Sequence, residues 1–482
     1  MAVRVKLGFV PSYRFAWNEW EQKMRDDSLA TFAKVSGLEV VTPQAAPDKQ
    51  SLDAEKGYTP DGMVHTLDQA EAVAEYFQRQ KVDGLIICPL DFGDERSAAK
   101  VAEKLQVPVF FYATKEPEAT DDVSMGRVSD SYCGNLSLAS ALYRRKIPFR
   151  FGGVVFPDEP ELLAEVDAFT RAVAVVKGLK GARIGQVGTR PSPFETVLYD
   201  EAALIRKFGQ NVIFAEVSDI VSRAEELATD DPRVRQIIGD QRERVANLTV
   251  SDEYLLKAAK YEVALTEFAE KNKLSAMAVQ CWSSIQQLMG ISSCAVFGRL
   301  TEKTILTACE TDVLGALAML ANYQAAMGET LPHFIDWTIQ HRQNPNWLLA
   351  WHCGNAPLCL AKDPSKVGLR SRNDMKGVRP ANPNDSQEGL YQFQVKPGKV
   401  TFCRLQEYDN QWKMLIATGE IVPSDEELAG TWSWVEVKDH AKLYRTLVEE
   451  GFIHHASMIH GDQTQALLEA CHFLDITPVV VS

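Results

Sequence analysis

The chain has no long apolar run. Nothing in its 482 residues approaches the roughly 18 to 20 consecutive apolar residues that a membrane-spanning helix needs. It also lacks an excess of positive charge. With 51 Lys and Arg against 65 Asp and Glu the formal charge is −14, which disfavours nucleic acid and anionic membrane as partners. The opening MAVRVKLGFV alternates as a strand does and lacks the apolar core and cleavage site of a signal peptide. Cysteine is present without a framework: nine residues, an odd count, with no paired C-x2-C knuckles. That pattern predicts reduced thiols in a cytoplasmic protein rather than secreted disulfides, and leaves a zinc site on His352, Cys353 and Cys359 poorly supported.

What is there is length and alternation. A chain this long needs more than one hydrophobic core. Its first third alternates strands and helices: Val3–Val10, Leu38–Val41, Gly84–Cys88 and Val107–Tyr112 as strands, with helical periodicity between them. A second unit of the same kind follows, with strands at Ala182–Val187, Val212–Ala215, Ala276–Trp282 and Ile305–Cys309 and a charged helical stretch over Val221–Gln241. Beyond about Ala326 the texture turns β-rich, interrupted by Ala361–Asp385, which reads as a long loop. The predicted class is α/β: two doubly wound parallel-sheet domains, residues 1–155 and 156–325, then a β-rich C-terminal domain, residues 326–482.

Four residues in the second half stand out. Glu310 ends an apolar strand, and Asp336 sits inside the strand HFIDWTI. His352 follows WLLAW, and His455 belongs to the tandem pair in HHASM. Polar groups inside apolar strands need a partner or a purpose. Two carboxylates and two imidazoles form an N/O donor set suited to a divalent ion such as Mn²⁺, with Co²⁺ or Mg²⁺ as substitutes. Each has a plainer reading as well. Glu310 and Asp312 would also favour the dipole of the helix that follows, Asp336 could face a sheet edge, and a histidine pair can be structural.

The order and spacing of these residues resemble the L-fucose isomerase and L-arabinose isomerase superfamily of aldose–ketose isomerases. The motif is Glu310 in ACETDVLGALAML, then Asp336, His352 and HHASM. The resemblance implies that Glu310, Asp336 and His455 bind the catalytic metal, and that His352 fits the fourth ligand of the arabinose isomerase branch. It also implies a homo-oligomer with sites at subunit interfaces. The first-domain loop GFVPSYRFAWNEW departs from the Gly- and Arg-rich segment of fucose isomerases, so the sugar contacts must differ.

The expected chemistry is transfer of a proton between C1 and C2 of a monosaccharide through a cis-enediol. Glu310 and Asp336 would be the acid/base pair beside a charge-stabilising cation. Candidate sugar contacts are Arg14 and Trp17 in the first loop, Arg190 in GTRPSPF, Gln280 and Trp282 after the AVQCW strand, and His454. The two arginines could hold an anionic substituent such as a phosphate, carboxylate or sulfonate. Salt bridging of Arg190 to Glu195 or Asp200, and core packing of Trp282, are the alternatives. Other readings of the whole are a non-catalytic sugar-binding protein and a metal-dependent epimerase or lyase.

Overall fold

The runs Gly84–Pro89 and Val109–Thr114 bury every residue, so each needs cover on both faces, which a sheet between two helix layers provides. In the computed structural model, which describes residues 3–14, 19–116, 128–372 and 388–481, they are central strands of a five-stranded parallel sheet. The strands are β1 (Val5–Ser12), β2 (Leu38–Val41), β5 (Gly84–Pro89), β6 (Val109–Thr114) and β7 (Phe149–Val155), in the order β2-β1-β5-β6-β7. A two-stranded pair, β3 (Gln44–Ala45) and β4 (Tyr58–Thr59), stands apart. Helices α1 (Glu19–Phe32), α2 (Leu67–Gln80), α3 (Glu95–Leu105), α4 (Ser131–Arg144) and α5 (Pro160–Leu179) intervene. Phe77, Ile87, Phe111 and Leu138 belong to one buried cluster there. The chain divides into two compact units, Ala2–Lys177 and Gly178–Ser482, each with its own sheet structure.

The second unit opens with a four-stranded parallel sheet in the order β12-β11-β8-β9. Its strands are β8 (Arg183–Val187), β9 (Asn211–Ala215), β11 (Ala276–Val279) and β12 (Leu306–Cys309). Around it run α6 (Glu201–Phe208), α7 (Val217–Glu226), α8 (Pro232–Arg244), α9 (Asp252–Asn272), α10 (Ser284–Met289), α11 (Cys294–Glu302) and α12 (Val313–Ala325). The helical stretch expected over Val221–Gln241 is thus two helices. Pro232 cannot continue a helix but suits a first turn, and the Asp231 side chain caps the new start by accepting from the Arg233 N–H.

The rest is one mixed ten-stranded sheet. It comprises β10 (Asn247–Leu248), β13 (His333–Gln340), β14 (Trp347–His352), β15 (Gly368–Ser371), β16 (Glu388–Gln394), β17 (Gly398–Tyr408), β18 (Gln411–Val422), β19 (Thr431–Glu436), β20 (His455–His460) and β21 (Thr477–Val481). Because β18 also pairs with β19, six antiparallel strands close on themselves as a barrel, β19-β14-β13-β20-β17-β18. Helices α13 (His440–Glu449) and α14 (Thr464–Leu474) accompany it. The segment expected as a loop from Ala361 contains β15, held between β10 and β16 with Leu369 fully buried. From residue 373 to 385 that segment lies outside the described residues. No helix among the described residues is long and apolar enough to cross a membrane.

Candidate functional site

Glu310 stands at the carboxyl end of β12, where parallel sheets place their ligand loops. Glu310 and Thr311 both adopt the left-handed backbone region, with φ of 59° and 58°, and so turn the chain sharply into α12. For non-glycine residues that conformation costs about 1–3 kcal/mol and persists only where the surroundings enforce it. Here Thr311 donates its N–H to the Val279 carbonyl at 3.3 Å and its hydroxyl to the Thr189 carbonyl at 2.8 Å. Asp312 then caps α12 by accepting the Gly315 N–H at 2.8 Å. A Cβ at Gly315 would lie 2.6 Å from an Asp312 oxygen and 2.6 Å from the Phe334 ring, so the cap requires glycine.

The other polar groups come from the barrel. Asp336 on β13 is registered directly opposite His455 on β20 and Trp351 on β14, and His352 ends β14. Since α12 packs against β20, Glu310 arrives beside them. His455 Nε2 lies 2.8 Å from Glu310 Oε2 and 3.6 Å from Asp336 Oδ1. Donor atoms of Glu310, His352 and His455 lie within 4.8 Å of one another, as do those of Asp336, His454 and His455. Asp336 Oδ1 and His352 Nε2 are buried without a hydrogen-bond partner. Such atoms cost about 1–3 kcal/mol each unless something else satisfies them. Oxygen and imidazole donors converging on one buried spot fit a divalent cation.

The opposite edge of His455 is held by a group that sequence reasoning did not assign to the site. Its Nδ1 lies 2.9 Å from Asp312 Oδ2. Asp312 is in turn clamped by Arg404 of β17, whose Nη2 donates to Oδ1 at 3.2 Å and whose Nη1 donates to Oδ2. Both side chains are buried. Burial would raise the Asp312 carboxyl, but Arg404 and His455 hold it well below the usual carboxylate range. A permanent carboxylate keeps a proton on His455 Nδ1, so Nε2, which faces Glu310, is the nitrogen that gives up its proton when a metal binds. Burial would lower the His455 ring, yet the Asp312 and Glu310 carboxylates lift it to about 9 in the metal-free site. Glu310 is pulled the other way. Burial would raise it, but His455, His352 and the Trp282 N–H hold it at about 2. For His352, burial is likewise outweighed, and Asp336, then Cys353 and Glu310, raise it above the ordinary histidine value. The only hint of this support in the sequence was an arginine inside the strand TFCRLQ.

The expected sugar contacts divide. Trp282 donates its indole N–H to Glu310 Oε1 at 2.9 Å, so it orients the carboxylate as well as packing. Gln280, Trp282 and Arg190 line one pocket of 570 Å³, together with Thr189 and Pro191. Among the described residues Arg190 has no carboxylate partner. It donates to the Ser192 carbonyl at 3.1 Å, while Asp200 pairs with Arg206. The His454 ring lies 4.1 Å from that of His455 and 5.5 Å from Phe194, and burial holds it below the ordinary histidine value. In the first unit, Arg14 lies over the Phe92 ring and pairs with Glu95, which neutralises it. Trp17 lies outside the described residues.

Comparisons with known proteins agree with this layout. The profile of the fucose/sulfoquinovose isomerase N-terminal domain matches residues 29–180, and that of the L-fucose isomerase C-terminal domain matches residues 350–481. The chain is similar to the sulfoquinovose isomerase of Alkalicoccus urumqiensis, 26% identical over 402 residues, covering 83% of this chain and 86% of that protein. To the sulfoquinovose isomerase of Priestia aryabhattai it is 24% identical over 424 residues, covering 86% and 90%. A solved periplasmic solute-binding protein from Actinobacillus succinogenes 130z with bound D-allose aligns at 12% identity, covering 68% and 92%, with a TM-score of 0.18. A score that low carries no argument. Two profiles of one family, matched in order along the chain, together with the sulfoquinovose isomerase relatives, show that the chain is an isomerase and belongs to the fucose isomerase-like superfamily.

Proposed function

We propose that this enzyme is a metal-dependent aldose–ketose isomerase whose cation, Mn²⁺ by donor chemistry, is held by Glu310, Asp336 and His455. One observation carries the reading: Asp336 Oδ1, buried without a hydrogen-bond partner, lies 3.6 Å from His455 Nε2, and an ionised Glu310 oxygen lies 2.8 Å from the same nitrogen. A bound divalent cation would supply the positive charge that acidifies the sugar C–H bond next to a carbonyl. The chain's own groups do the rest. Glu310 and Asp336 reach the site from different elements, one from the β12–α12 turn and one from β13, so two carboxylates are available to take and return the proton that moves between C1 and C2. The Trp282 indole fixes the direction of one of them. His454, held neutral, can hydrogen-bond a sugar hydroxyl.

The substrate we infer is an aldose carrying an anionic group. The relatives are named for sulfoquinovose, an aldose with a sulfonate. Arg190, with no carboxylate partner among the described residues, lines the 570 Å³ pocket and would meet such a group. Chelator-stripped enzyme should form ketose from sulfoquinovose when Mn²⁺ is restored, and less from neutral aldoses. Absence of ketose from every aldose in a panel that includes acid-substituted sugars would end the isomerase reading. Glu310→Gln should lower kcat by about 10²- to 10⁴-fold without unfolding the protein. Arg190→Met should raise KM for the sulfonated sugar alone.

The reading includes a homo-oligomer. Tyr132, Leu136 and Tyr143 form an exposed apolar stripe on α4, at 63%, 66% and 75% exposure. Light scattering should return a mass above the 53.7 kDa of one chain.

A further inference from the structure

His352 and His455 are both buried and both bring a ring nitrogen close to Glu310, but their rings are anchored in opposite senses. His455 Nδ1 faces Asp312, an ionised group that only accepts, so Nδ1 keeps a proton and Nε2 is the nitrogen that can present a lone pair to a metal once its own proton is displaced. His352 Nδ1 instead accepts the backbone N–H of Cys353 at 2.9 Å. An N–H donor can be met only by a lone pair, so the proton of the neutral ring lies on Nε2. Turning the ring over would set a C–H against that backbone donor and leave it unpaired, at a cost of about 1–3 kcal/mol. The ring is also confined. Phe334 lies 5.5 Å from it, and Trp351 stacks alongside at 6.4 Å.

A protonated ring nitrogen has no lone pair for a metal. His352 Nε2 is nonetheless buried and lacks a hydrogen-bond partner. We propose that His352 is not a metal ligand but a hydrogen-bond donor, presenting Nε2–H to an oxygen of the bound sugar. The inference rests on the metal site proposed above and assigns His352 differently from the fourth-ligand role of the arabinose isomerase branch. The proton is shared and not transferred. Its effect is to hold one sugar oxygen in place and to stabilise negative charge that develops on it.

The test separates the two histidines. Mn²⁺ is titrated into chelator-stripped full-length enzyme by calorimetry, and electron spin-echo modulation of the Mn²⁺ complex counts the imidazole nitrogens bound to the ion. The wild-type spectrum, which needs no variant, should show one coordinated imidazole. His352→Gln retains an N–H donor at similar reach. It should keep that spectrum and bind Mn²⁺ within about threefold of wild type, against the roughly 10- to 100-fold loss expected when a metal site is disturbed. Its kcat should fall, and His352→Leu, with no donor, should fall further at equal Mn²⁺ affinity. Two coordinated imidazoles in the wild type, or loss of Mn²⁺ affinity in His352→Gln beyond about tenfold, would overturn the proposal. Unchanged Mn²⁺ binding in His455→Gln would overturn the metal site itself, and this inference with it.

Discussion

Asp312 does three things with two oxygens: it caps α12, binds Arg404 and fixes the proton of His455. Asparagine could keep the cap but would offer an N–H to His455, driving the imidazole to its other tautomer. Asp312→Asn should therefore weaken Mn²⁺ binding about 10- to 100-fold with the fold retained, as read by calorimetry and circular dichroism. The raised His455 value has two consequences of definite sign. Cation binding at neutral pH must expel a proton, so metal affinity should climb with pH toward about 9 and then level. Calorimetry in buffers of different ionisation enthalpy checks that release. In the metal-free enzyme, a ring raised from 6.5 to about 9 contributes stability that is complete below 6.5 and lost as pH rises through 9. Glu310, lowered from 4.5 to about 2, contributes stability that is present above 4.5 and lost as pH falls toward 2. Metal-free enzyme should thus melt at lower temperature at pH 9 than at pH 6.

At the scale of elements, the decisive piece is the β12–α12 turn. Its two left-handed residues and the bare α-carbon of Gly315 let Asp312 reach back over the first turn of the helix. Alanine at 315 would gain helix propensity of about 1 kcal/mol, yet its Cβ meets Asp312 and Phe334 at 2.6 Å. We expect Gly315→Ala to bind Mn²⁺ more weakly and to melt below wild type. A rise in both quantities would contradict this account of the turn. The elements also show how far the sequence could be read. Asp336 was legible because an acid inside HFIDWTI breaks a strand pattern, and Glu310 because it ends an apolar run. Asp312 was legible as the start of α12, but its pairing with Arg404 was not, since that pairing spans 92 residues and depends on how α12 settles against β17. The strand β15 was hidden for a related reason. Four residues in a charged segment form a strand only because β10 and β16 are there to pair with them.

For the whole molecule, alternation of strand and helix made the parallel sheets legible, and the β-rich texture announced the mixed sheet. Closure of the barrel was not legible, because it rests on one extra pairing, β18 with β19, that no local pattern encodes. Glu310, Asp336 and His455 all lie in the unit Gly178–Ser482. Mn²⁺ at about 100 times its dissociation constant should stabilise that unit by about 2.7 kcal/mol, or about 5 °C in its unfolding transition. Scanning calorimetry should find the transition of Ala2–Lys177 unmoved, and a metal-dependent shift of both would contradict the assignment.

The barrel also sets a timetable. Asp336 sits on its first strand along the chain, β13, while His455 sits on its last, β20, and β20 is the strand that pairs both β13 and β17. Until β20 inserts, Asp336 has no neighbour on that side, and the Asp312 carboxylate has no imidazole to hold. A nascent chain folding from its N-terminal end would complete the parallel sheets before this centre exists. Metal uptake at the proposed site should therefore wait for the insertion of β20, and a nascent chain that has not yet made β20 should bind no metal there.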